Sequence, residues 1–143
     1  MSEPLAAWTP AMSVFVRRTV IVGAVTLLLM VGIGWAIGAA TGVWQVLYVG
    51  PVLVLVYNIG FEDPSRWRTA RQNRWYLRSD ALIHSGPEGE ARIPLADIED
   101  VRTRLGWSVV VFLKSGMRVR ISYVADARGI ASQILAARAR MTP

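Results

Sequence analysis

Fifteen of the sixteen basic residues in this sequence are arginine, and they are its most reactive asset. A guanidinium is a planar fork of donors that matches carboxylate and phosphate oxygens two at a time. Arg66, Arg68, Arg71, Arg74 and Arg78 follow closely on a long apolar run. Arg102 with Arg104, and Arg118 with Arg120, are spaced by two, which on a strand puts each pair on one face. In a meander the two pairs align across an intervening strand into one basic patch. The other titratable groups point away from catalysis. Asp97, Glu99 and Asp100 cluster at a spacing that matches no calcium loop or two-metal site, so no metal is expected. His84 is the sole histidine, and no serine or carboxylate partner follows from its position. The chain has no cysteine, which excludes disulfides, thiolate nucleophiles and cysteine-ligated metals. Gly86-Pro87-Glu88-Gly89 lacks the lysine and the following helix of a phosphate loop, so no nucleotide cofactor is expected either. Binding, not catalysis, is the chemistry on offer.

The elements that must position these arginines divide the chain sharply. Of 143 residues, 53% are hydrophobic and 18% charged, a balance foreign to disordered chains and unusual for a soluble domain. From Thr19 to Phe61 there is no charged residue or histidine over 43 positions. A bilayer core takes about 20 helical residues, so two spans fit. The small, flexible Ala39-Ala40-Thr41-Gly42 is the natural break, giving spans of about Thr19–Ala39 and Val43–Ile59 with a kink near Pro51. The apolar core is too long for a cleavable signal peptide, and a second span follows it directly. Arg17-Arg18 before the first span and the five arginines after the second, against an uncharged turn, predict a multi-pass protein with both termini cytoplasmic in a bacterial inner membrane. Gly34, Gly38 and Gly42, four apart, form a small-residue stripe on which the second span could pack. The expected organisation is an N-terminal cytoplasmic segment (1–18), a two-span hairpin (19–61), a basic juxtamembrane linker (62–74) and a cytoplasmic domain (75–143).

In the domain the periodicity changes to short strands separated by turn residues. Strands are expected over Trp75–His84, Glu90–Leu95, Ile98–Leu105, Trp107–Leu113 and Met117–Tyr123. Gly86 to Gly89, Gly106 and Lys114-Ser115-Gly116 supply the turns. Asp126 is placed as an N-cap for a terminal helix, along which Ala127, Ile130, Ile134, Ala137 and Met141 recur as an apolar stripe. The fold class is membrane α plus small α+β: a helical hairpin, then an antiparallel sheet closed by one amphipathic helix.

The segment from Trp75 to Ile83, a glycine turn, and then Arg92-Ile93-Pro94-Leu95-Ala96-Asp97-Ile98-Glu99-Asp100-Val101 resembles the bacterial pleckstrin-homology-like (PH-like) domain. Its most specific part is Ile93 to Val101, and together with the hairpin it covers most of the chain. The resemblance implies a non-enzymatic interaction module, one that docks a protein partner or another copy of itself as a scaffold or accessory subunit, or alternatively binds anionic lipid headgroups. It also implies a seven-stranded barrel, two strands more than the sequence displays. Membrane lipids and a protein partner or homo-oligomer are the expected partners. Nucleic acid is not, because beyond Arg78 nine basic residues are balanced by seven acidic ones.

Overall fold

The computed structural model describes residues 3–141. The chain forms two compact units, Val16–Arg68 and a second assembled from Met1–Phe15 with Thr69–Pro143. The first is helical. Helix α1 spans Met12–Thr41 and α2 spans Val46–Tyr57; a π-helical turn, Asn58–Glu62, leads into α3, Asp63–Ala70. Both α1 and the continuous stretch Val46–Ala70 are long and apolar enough to cross a membrane. Large apolar side chains such as Val20, Leu28, Leu29, Val52, Leu53 and Ile59 face outward around both.

α1 ends two residues later than its apolar pattern suggested. It stops where Gly42 adopts φ +77° and donates its N–H to the Gly38 carbonyl at 2.8 Å, the left-handed ending that glycine makes without strain. The second helix does not give way to a linker after residue 61. It winds on through α3, where Glu62 pairs with Arg66 one turn along and continued winding keeps the backbone groups bonded. Pro51 lies within α2. The irregular winding comes later, at Asn58–Glu62, where the Asn58 amide donates to the Val54 carbonyl at 2.9 Å.

The second unit has seven strands among the described residues. β1 (Ala6–Trp8), β2 (Arg74–Leu77), β3 (Ala81–Gly86) and β4 (Gly89–Pro94) form an antiparallel sheet in that order, and β5 (Ile98–Arg104), β6 (Ser108–Leu113) and β7 (Arg118–Ser122) form another. Two strands exceed the five expected, for separate reasons. The segment 1–18, read as a plain lead-in to the membrane, supplies β1, which sets Ala6 opposite Leu77 and Trp8 opposite Trp75. The stretch Trp75–His84, read as one strand, folds back at Arg78-Ser79-Asp80, where the Arg78 N–H donates to the Ala81 carbonyl at 2.9 Å. The helical unit is therefore an insertion between β1 and β2.

Helix α4 (Ala127–Met141) begins where Asp126 Oδ1 accepts the Gly129 N–H at 3.0 Å. It buries Ala127, Ile130, Ile134 and Ala137 as its stripe predicts, with Ala131 added and Met141 left exposed. Leu77, Leu82, Leu95, Ile98, Val109, Val111 and Ile121 complete the core. Trp75 is part of it, packed beneath the sheet.

Candidate binding surface

Strand alternation sorts most of the second sheet, with Ser108, buried in the outer row, and Thr103, exposed in the inner one, as exceptions. Val101, Val109, Val111 and Ile121 turn into the core, so their neighbours Arg102, Arg104, Val110, Phe112, Arg118 and Arg120 take the opposite face. The register then joins the two arginine pairs. Asp100, Phe112 and Arg118 make one cross-strand row, Arg102, Val110 and Arg120 the next, and Arg104, Ser108 and Ser122 the last. All four arginines are exposed, while Val110 and Phe112 are half-buried between them.

Phe112 is the centre of the arrangement. The guanidinium carbon of Arg102 lies 5.5 Å from its ring centroid and that of Arg118 lies 5.4 Å away. Two cations from strands on either side thus share one aromatic ring, a cation–π geometry that restrains both long side chains. Asp100 holds Arg102 from the flank: its Oδ2 accepts from Arg102 Nε at 2.7 Å and its Oδ1 accepts the Val101 N–H at 2.8 Å. These two bonds, the Arg102 one first, hold the Asp100 carboxyl below its ordinary value of 3.8. No ion pair engages Arg104, Arg118 or Arg120 among the described residues. The surface can therefore receive carboxylates or phosphates against an apolar floor. Nothing in the composition of the sequence marked Phe112 as special; the signal lay in Val109 to Phe112 being apolar at four consecutive positions, which obliges two of them to face outward.

A second feature sits beside β7. This strand ends its sheet, and along its free edge runs a cleft of about 360 Å³ lined by Pro10, Asn73, Trp75, His84, Tyr123 and residues of β7. His84 is half-buried there, stacked on Trp75 with ring centroids 4.4 Å apart and bonded through Nε2 to Asn73 Oδ1 at 2.9 Å. It is a wall of the cleft, and Asn73 is its side-chain partner.

The remaining arginines are not gathered. Arg66 and Arg68 belong to α3, Arg71 to the loop after it, Arg74 to the start of β2 and Arg78 to the β2–β3 turn, where its Nε is buried without a hydrogen-bond partner. Asp97 and Glu99 are exposed, and among the described residues no three His, Asp or Glu side chains are placed to share a metal ion.

The glycine stripe splits by role. A Cβ on Gly34 would sit 2.9 Å from Leu47 Cα, and one on Gly38 would sit 2.6 Å from the Trp44 ring, so these two permit the approach of the chain leading into α2. Gly42 has nothing within 4 Å and serves the turn. Further along the two helices a cavity of about 290 Å³ opens, lined by apolar side chains with Thr19, Thr26 and Asn58 among them and Arg18, Asp63 and Arg66 also on its wall.

No family model matches this sequence, and no curated protein is similar to it.

Proposed function

We propose that this chain is a non-enzymatic integral protein of a bacterial inner membrane, whose sheet unit is a PH-like domain that docks an acidic protein partner at the cytoplasmic face. The domain assignment is supported by four strands and then three, all antiparallel, followed by a C-terminal helix, together with the Ile93 to Val101 segment. The observation that carries the docking reading is the pair of arginines sharing the Phe112 ring, with Arg104 and Arg120 around them. An apolar centre rimmed by arginine is the composition of a protein contact that concentrates its affinity in few residues. The arginines are already restrained, so less rotamer freedom is lost on binding.

The test uses the full chain in its native membrane, crosslinked and quantified by mass spectrometry beside the Arg102→Glu/Arg118→Glu double variant. A partner recovered near stoichiometry by the parent chain and lost from the variant, with circular dichroism unchanged, supports the reading. A variant that keeps every partner overturns it. Anionic lipid headgroups on the same guanidinium groups are a second reading, favoured by the exposed Arg68, in the last turn of the membrane-length helix, and Arg71 and Arg74 just after it. Flotation with phosphatidylglycerol vesicles that is lost from the same variant and as salt rises would move the assignment there.

A further inference from the structure

We infer that the free edge of β7 is a strand-docking site, and that its occupant is an extended acidic segment of a partner protein. The inference rests on the docking reading above and specifies the conformation and pattern of what docks.

An edge strand presents a row of unpaired backbone N–H and C=O groups that another strand can complete. The two sheets have four edges, and three are protected in recognisable ways. β1 has only three residues. β4 alternates Glu90 with Arg92, is exposed along nearly its whole length and ends at Pro94, the mixed charge and proline that discourage pairing. β5 is flanked by α4, where Arg138 Nη1 donates to the Glu99 carbonyl at 2.7 Å. β7 has five residues, no proline and no covering helix, and its charge is of one sign, Arg118 and Arg120, which repels another copy of itself and suits an acidic strand. It also has a cleft alongside, so an added strand finds space already open.

The pattern of β7 dictates the occupant. From Lys114 to Ala125 there is no acidic residue, and Arg118 and Arg120 project from one face while Val119 and Ile121 take the other. A strand laid against this edge places alternate side chains beside the two arginines and the others towards the cleft walls, Trp75 and Tyr123 among them. Acidic residues at every second position with apolar residues between satisfy both faces. A second copy of this chain pairing through its own β7 would set arginine against arginine, which opposes self-association here. At its far end the edge is closed where the Ala11 N–H donates to the Tyr123 carbonyl at 2.8 Å, so the incoming segment enters from the Arg118 end and pairs along Arg118–Ser122 at most.

The experiment measures fluorescence anisotropy of a labelled peptide of alternating glutamate and valine binding to the full chain in nanodiscs of zwitterionic lipid. Expected are saturable binding, a loss of roughly tenfold or more in affinity with Arg118→Glu/Arg120→Glu, and weaker binding of the lysine–valine analogue. Backbone N-methylation of the peptide at one set of alternate residues should abolish binding and at the other set leave it, because only one set faces β7. Hydrogen exchange should slow at Arg118–Ser122 in the complex. Charge-dependent binding that ignores N-methylation and protects no β7 amide overturns strand docking while leaving the surface reading intact. Absence of binding, or equal binding by the double variant, overturns strand docking; partner loss from the Arg102→Glu/Arg118→Glu chain then tells separately whether the surface reading survives.

Discussion

At the scale of single residues, Asp100 decides how the basic surface is held. Its carboxylate anchors Arg102 over Phe112, and the price of removing its proton is lowered by Arg102 and by the Val101 N–H. A carboxyl depressed in the folded state contributes stability that is present above its unfolded value and lost as pH falls through its folded one. The Asp100–Arg102 contact should accordingly persist through neutral and mildly acidic solution and dissolve only below 3.8. Carboxyl-carbon NMR should give a midpoint for Asp100 beneath that value in the parent chain, moving part of the way back in Arg102→Gln, where the Val101 bond remains. An unmoved midpoint would show that Arg102 is not what holds it. The arginine pairs themselves were legible by their period of two. Their meeting over Phe112 was not, because it depends on a cross-strand register set by the Leu105–Gly106 and Lys114 to Met117 turns, and a one-residue slip would have sent one pair inward.

At the scale of elements, β4 to β7 and α4 were readable because each carries a strong local signal: Val109 to Phe112 for a strand apolar on both faces, Asp126 and a five-residue stripe for the helix. β1 escaped because three residues show no period, and its place is set only by pairing with distant β2. The Arg78 to Asp80 turn escaped because it has neither glycine nor proline. In the helical unit, the two glycines that admit Trp44 and Leu47 make an element-level prediction. Gly38→Leu drives a side chain into the Trp44 ring and should lower the stability of the helical contact by about 1–3 kcal/mol, read as an earlier thermal transition in detergent. Gly50→Leu, with nothing within 4 Å of its Cβ, serves as the matched control and should not move the transition.

At the scale of the whole molecule, the strands on both sides of the hairpin belong to one sheet, so the two flanks of the membrane-length helices must lie on the same side of any bilayer they cross. With no native cysteine, single introduced ones report this directly. Val43→Cys, in the turn between the helices, should react with a membrane-impermeant maleimide on intact cells. Ser115→Cys, in the β6–β7 turn, should react only after lysis. The reverse pattern would invert the orientation expected from the arginines.

Insertion of the hairpin between β1 and β2 also orders the protein's birth. On the ribosome β1 appears before either apolar helix, and the strand it must pair with appears after both. The first sheet therefore closes only once both intervening helices have been made. Until β1 and β2 pair, the β2 edge stays open, a lesion that proteases and chaperones can recognise. Pairing of β1 with β2 thus marks the point at which everything between them has been synthesised and its two ends brought together.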